Sequence, residues 1–354
     1  MHTQMDLIVF YIGSYTKTIS PEIVGKGEGI YTVELNNETG ELKLLHVEST
    51  VNPSYLVVDK HNKFLYCNTE VISKEAPKVK AYRIKNDFSL ELCNELPIKG
   101  GFPCHIEKIE NHILVSCYET GNLLQFTLDK RGCLSDCVTN HKHSGSSVNK
   151  ERQEGPHVHQ VAIRPKTQEI YACDLGTDII NGYVFENDYL KPKTELDIAV
   201  KKGGGPRHMV FSKNGEFAYA VNELTGEVSI LKACDGVLQQ VGTMNSLPDH
   251  YQDIPSASAI RMHHNNKYLY VANRKWDAIT IFKVEGEQLQ LIDHTVTGGK
   301  ELREFNITPN GKWLIACHQD SHDTIVYLIE KDGTLTQKFA TKAMKTPVCV
   351  AFLN

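Results

Sequence analysis

The sequence predicts an all-β chain, a seven-bladed β-propeller with four antiparallel strands in each blade and a ring closed by strands from the two chain ends. Three observations predict it. A unit close to 50 residues long repeats along the chain, its start can be placed seven times, and the seventh unit holds a single strand while the chain's first stretch supplies three.

The repeat is clearest between Gly204–Leu238, Pro255–Leu289 and Lys300–Leu335. Each unit has an alternating apolar segment, a polar turn, an aromatic-rich segment with a polar tip, and a third alternating segment that reaches Gly before a fourth. Period-two alternation bounded by turn residues is the mark of half-buried strands, and the pairs Asn214-Gly215 and Asn310-Gly311 are hairpin signals. The units start at Pro53, Pro103, Pro156, Pro206, Ala257, Leu302 and Pro347, at intervals of 50, 53, 50, 51, 45 and 45 residues. Four short strands per interval match a propeller blade.

After Thr346 only Pro347–Asn354 remains, enough for one strand. The missing three are at the other end: Phe10–Tyr15, Gly29–Leu35 and Leu42–Glu48, with Glu38-Thr39-Gly40 as a turn. Val348–Phe352 is therefore expected to pair with Ile8–Ile12 and close the ring. An open solenoid would need polar caps at two free ends. No stretch of ten or more residues carries a persuasive helical period. Although 354 residues suggest two domains by length alone, the repeat makes residues 1–354 a single propeller domain.

The composition is that of an ordinary globular chain: 41% hydrophobic, 23% charged, net charge -5. That balance gives no footprint for nucleic acid, so an anion must be held by a local site. Leu7–Ile12 is too short to span a membrane and has no basic leader. The ten cysteines are scattered without a C-x-x-C pair, and a cytoplasmic home is expected.

In an antiparallel blade the start of strand one and the turn between strands two and three lie on the same face of the ring. The strand-two tips read Tyr15, Glu70, Glu119, Asp174, Glu223, Arg274 and Gln319. The strand-one starts read Ser54, His105, His157 with His159, Arg207 with His208, Ser258, and Arg303. Charge gathered at one mouth is costly unless paired or solvated, which points to a ligand. The long polar loop His141–Glu154 leads into this mouth as a lid or wall. In Gly155-Pro156-His157-Val158-His159, alternation places both imidazoles on one side of a strand.

The run GSSVNKERQEGPHVHQV (Gly145–Val161), GGPRHMVF (Gly204–Phe211), AYAVNELTGEVSIL (Ala218–Leu231) and LYVANRKWDAITIF (Leu269–Phe282), with YIGSYT near the start, resemble the seven-bladed lactonase family. That family contains bacterial 6-phosphogluconolactonases and fungal carboxymuconate-lactonizing enzymes. The resemblance implies an active site on one propeller face with a histidine, a glutamate and two arginines. Those catalytic roles fall on His159 or His157, on Glu223, and on Arg207 and Arg274. Arg152 and Gln153 match the family's R-Q step and join His208 and His105 as expected substrate contacts. The implied activity is opening of a sugar-derived lactone, 6-phosphogluconolactone first, with a small anionic substrate as the partner, no cofactor, no nucleic acid and no membrane. Thr18–Gly27 departs from the family pattern as a longer excursion than a tight turn needs.

The residue types suit that chemistry. A histidine can act as base and then acid, and its unperturbed range places the rising limb of the pH–rate profile at roughly 6 to 7. Arginine forks hold phosphate, carboxylate or a developing oxyanion. Three alternatives stand beside this reading. His141, His143, His157 and His159 form two H-x-H steps that would suit zinc, although the expected mechanism is metal-free. A lactonizing cyclase or another sugar-lactone hydrolase would use the same arginines and glutamate. A non-enzymatic scaffold is the third, and it would not require such a set at one mouth.

Overall fold

The computed structural model describes residues 7–21 and 23–353. Among these the strands form seven sheets arranged as successive blades. The first blade comprises Leu7–Ser14, Ile30–Asn36 and Leu42–Glu48, with Pro347–Phe352 as its inner strand. That strand pairs antiparallel with Leu7–Ser14, placing Phe10 opposite Phe352 and Ile12 opposite Val350, as the incomplete seventh unit predicts. The ring is closed by β-pairing between its two ends. The only helices among the described residues are two single 3₁₀ turns, and no described helix is long and apolar enough to cross a membrane.

Seven apolar clusters hold the ring together, one at each blade-to-blade interface. Tyr270 and Ile281 of the sixth blade, for example, pack on Phe305 and Leu314 of the seventh, and Phe10 and Val33 of the first on Trp313 and Ile315 of the seventh. Each blade thus buries both faces, one against each neighbour. This is why the second and third strands of each unit read as nearly continuous apolar runs.

The aromatic residues of the second strands have a further role. Tyr11, Tyr66, Tyr219 and Tyr270 each reach into the next blade and donate to a carbonyl in or near its outer hairpin turn, Phe88, Gly132, Gly286 and Gly333 respectively, at 2.5–3.0 Å. Trp313 does the same across the closing interface, donating its Nε1–H to Asn37 Oδ1 at 3.0 Å.

Two local departures from the ideal repeat matter. In the fourth blade the outer strand is split into Tyr189–Pro192 and Ile198–Ala199 around a 3₁₀ turn, and both pieces pair with Ile179–Glu186. Gly182 makes this possible, since a Cβ there would come within 2.3 Å of Leu196 Cβ. More important for the site, a register shift marks the start of the inner strand in the third to seventh blades and in the closing strand of the first. These bulges break simple alternation where side chains meet the central mouth.

Candidate active site

At the mouth of the ring lies a cavity of about 690 Å³. Its floor comes from the inner-strand starts and strand-two tips, as antiparallel order requires. Three strand-two tips that line it follow directly after residues that pair with the inner strand. Pro206 pairs with Asn222 and Glu223 follows; Ala257 pairs with Asn273 and Arg274 follows; Pro103 pairs with Cys117 and Tyr118 follows.

Glu223 is the centre. Its Oε2 lies 2.9 Å from Arg207 Nε and 2.9 Å from Arg274 Nη2, and its Oε1 accepts from Arg152 Nη2 at 2.6 Å. Burial alone would raise this carboxyl, but Arg274, Arg207 and Arg152 together outweigh it and hold the group well below the usual carboxylate range. Four residues, one from the loop before the fourth blade and three from the fifth and sixth blades, are thereby fixed as one unit. Arg207 Nε meets Glu223 without hydrogen-bond alignment, while its Nη1 donates to Ser258 O at 2.5 Å and faces His208 Nε2 at 3.1 Å. Burial, then the neighbouring Arg274, push the Arg207 guanidinium down to about 10, so it remains charged at neutral pH.

His159 lines the cavity beside this cluster, its ring 5.1 Å from His208 and 6.1 Å from Tyr118. It is 5% exposed and its Nδ1 has no hydrogen-bond partner among the described residues. Burial first, and then the adjacent Arg207, depress its proton affinity well below the ordinary imidazole range. Burial and the neighbouring cations thus favour its unprotonated form, with Nδ1 left without a hydrogen-bond partner among the described residues. On the opposite side Arg303 donates to Tyr15 OH at 2.7 Å and lies 3.9 Å from Glu70.

The lining carries six cationic side chains, Lys26, Arg152, Arg207, Arg274, Lys275 and Arg303, against four carboxylates, Glu70, Glu223, Glu301 and Asp320. The surplus is positive although the whole chain is acidic. Low-dielectric walls around such a surplus favour a small anion.

Arg152, Arg207, Arg274, Glu223 and His159 are thus brought together. The other expected contacts are not on the cavity wall. His157 lies just before the first inner-strand residue, ahead of the bulge at Val158–Val161, so alternation does not align it with His159. Instead it faces Tyr118 O through Nδ1 at 2.8 Å and Glu154 through Nε2 at 3.1 Å, and stacks on the Tyr118 ring at 4.3 Å. Gln153 is fully buried and braces the long loop, donating to Asp178 Oδ1 at 2.7 Å and Leu175 O at 2.9 Å. That loop is a fixed wall that delivers Arg152. His208 is buried beneath the floor, with Nδ1 3.9 Å from Glu304. His105 is packed deeper, its ring tilted against Tyr55 with centroids 4.2 Å apart. The four-histidine grouping does not form either. His141 is bonded to Leu190 O, and His143 bridges Asp174 at 2.7 Å and the Tyr183 hydroxyl at 2.6 Å.

Sequence reasoning missed Tyr118, Phe102 and the wall made by Ile19, Pro21, Ile23 and Val24. Tyr118 was legible in principle. Aligning Cys117 with Asn222 and Asn273 selects it over Glu119, whose carboxylate instead accepts from Ser73 N at 2.8 Å.

A family model described as a seven-bladed β-propeller lactonase matches residues 9–352. The chain is 30% identical over 359 residues to a 6-phosphogluconolactonase of Bacillus subtilis, covering 99% of each chain. Among solved structures, a putative 6-phosphogluconolactonase from Bacteroides fragilis superposes with a TM-score of 0.92 at 31% identity, over 100% of this chain and 99% of that one. A periplasmic gluconolactonase of Pseudomonas aeruginosa shares the fold, with a TM-score of 0.90 at 24% identity over 99% of both.

Proposed function

The chain belongs to the seven-bladed β-propeller lactonase family, and from that premise we propose that it hydrolyses a sugar-phosphate lactone, 6-phosphogluconolactone to 6-phosphogluconate. The observation that carries the reading is the Arg207–Glu223–Arg274 cluster beside a neutral, buried His159 in a cavity with surplus positive charge.

Lactone opening needs a deprotonated water, stabilisation of the oxyanion that forms on the carbonyl, and a proton for the leaving alkoxide. In this reading His159 takes a proton from water as the water oxygen bonds to the carbonyl carbon. Arg207 and Arg274 face the oxyanion, and Glu223 holds both forks in place. Collapse of the tetrahedral intermediate breaks the ring C–O bond, and His159 returns its proton to the alkoxide. Lys26, Lys275 and Arg152, nearer the rim, suit the phosphate. All ten cysteines are unpaired, which supports a reducing, cytoplasmic setting.

The test is acid release from a panel of lactones. Wild type is expected to prefer the phosphorylated sugar lactone. Arg207→Ala should lose about 100-fold or more in kcat/KM, the scale for truncating one partner of a buried charged contact. Arg131→Ala, whose side chain is 79% exposed, should stay within about twofold, the range of a surface ion pair. Equal rates for Arg207→Ala and wild type on every lactone turned over would overturn the assignment.

A further inference from the structure

The cavity has a second character beside its charged floor, and nothing in the proposed proton transfers uses it. One side is apolar, made of Ile19, Pro21, Ile23 and Val24 from the first-blade excursion and Phe102 from the start of the third blade.

The excursion is held firmly at its base. Thr16 N and Lys17 N both donate to Asn52 Oδ1 at 2.8 Å, Gly27 N donates to Tyr15 O at 2.8 Å, and Lys26 N to Thr346 Oγ1 at 3.0 Å. Ile19 N also donates to Ile23 O at 2.9 Å, closing the span. The aliphatic side chains it carries join none of the apolar core clusters among the described residues, and Val24 is 44% exposed. They stabilise little by packing inside the fold, so their place on the cavity wall needs another account.

Phe102 is the independent observation. Its φ is 44°, in the left-handed region where a bulky side chain is a true outlier, and a proline follows, which disfavours helical backbone further. The fold does require a left-handed residue before the inner strand: Asn52, Gly205, Glu301 and Thr346 fill the same place in other blades. Glycine or asparagine meets that need with least strain. Phe102 also lies outside the core clusters, so neither backbone nor packing explains an aromatic here. Strain of this kind at a cavity wall points to a role in the cavity.

We propose that Phe102, Ile23 and Val24 form an apolar platform that binds the C–H face of the substrate's carbon body, so that the site selects an anionic group joined to a ring or chain with such a face. This rests on the lactonase reading for its substrate class. The floor recognises charge and the wall recognises carbon, a division common in small-molecule sites.

Calorimetric titration with 6-phosphogluconate and with inorganic phosphate separates the two, because phosphate alone has no carbon face. Wild type should bind 6-phosphogluconate more tightly than phosphate. Phe102→Gly and Ile23→Ser should each weaken 6-phosphogluconate by about tenfold, the scale of one lost apolar contact, and leave phosphate affinity unchanged. Phe102→Gly should also melt no lower than wild type, since it relieves strain. Variants that weaken both ligands alike or neither, or a wild type that binds both equally, would overturn the platform; a lower Tm for Phe102→Gly would assign the aromatic to the fold. Ile23→Ser sits on a surface loop and keeps the test open if the glycine variant folds poorly. Lactone turnover by wild type tests the underlying reading separately: no turnover with the ligand split intact removes the hydrolase and leaves the platform.

Discussion

The neutral state of the buried histidines governs two pH dependences at the residue scale. His159 has its proton affinity depressed by burial and then by Arg207, so the base form persists to lower pH than an exposed imidazole allows. The rising limb of kcat/KM against pH should therefore lie below the roughly 6 to 7 that the sequence alone suggests, with a flat profile across that range. His159→Gln should reduce kcat by about 10²-fold or more, the usual contribution of a general base. A limb centred near 6.5 would contradict the depressed histidine. The second dependence is of stability. His105 and His208 are depressed by burial first, like His159. Below pH ~6.5 the unfolded chain takes up protons at these positions that the folded chain does not, so stability falls as pH falls through that window. The slope is about 1.4 kcal/mol per pH unit for each histidine, hence roughly 4 for the three. Glu223, held low, loses its contribution in the same direction but only in the more acidic carboxylate range. A urea midpoint measured at pH 7 and pH 5.5 should drop sharply; an unchanged midpoint would show that these histidines protonate in place.

The recurring device at the scale of the element is a second-strand aromatic whose polar tip crosses into the next blade. Tyr270, fully buried, donates to Gly333 O at 2.8 Å. Tyr270→Phe keeps the ring in the interface and removes only that donor, leaving a buried carbonyl short of a partner at a cost of about 1–2 kcal/mol. A Tm lower by a few degrees with unchanged KM is expected in thermal melts and turnover assays; an unaltered Tm would mean the bond contributes nothing net. The aromatic strands themselves are plain in the sequence because alternation and turn residues mark them. Their partners are not, since Gly333 lies 63 residues away and only the ring brings it near. The same limit explains the site. Glu223 and Arg274 are legible because each follows an Asn that closes an apolar strand. His157 and His105 look equivalent to their neighbours among the strand-one starts, and Gln153 looks equivalent to Arg152 beside it. The inner-strand bulges and the braced loop turn them elsewhere, and neither leaves a mark in residue type. Arg261 and Glu304, paired at 3.0 Å deeper in the channel, are invisible for the same reason: depth along a bulged strand cannot be counted from alternation.

At the scale of the whole molecule the cavity exists only because seven blades meet around it, so ring closure and function are linked. Arg303 and Tyr15, which line the mouth or the chamber below it, come from the two blades that flank the closure. The closing strand Pro347–Phe352 buries Val348, Cys349, Val350 and Ala351 and is zipped to Leu7–Ser14 by five paired positions. Thr346 adds a carbonyl for Tyr15 N at 3.2 Å and a hydroxyl for Lys26 N. Removing residues 346–354 exposes the inner edge of the first blade and two inter-blade clusters. At about 1.5–3 kcal/mol for each large apolar side chain uncovered, the loss reaches a large fraction of an ordinary domain's 5–15 kcal/mol. The truncated chain should therefore melt far lower or without cooperativity, whereas deletion of a frayed tail would shift Tm by a degree or so. A circular permutant distinguishes loss of closure from damage to the chain ends. Joining residue 353 to residue 7 through a short loop, and opening the chain in the exposed link between Gln252 and Asp253, keeps every strand pair. That permutant should retain a Tm close to wild type and full turnover. If it unfolds while the truncated chain stays cooperative, closure by the terminal strand is not what holds the ring.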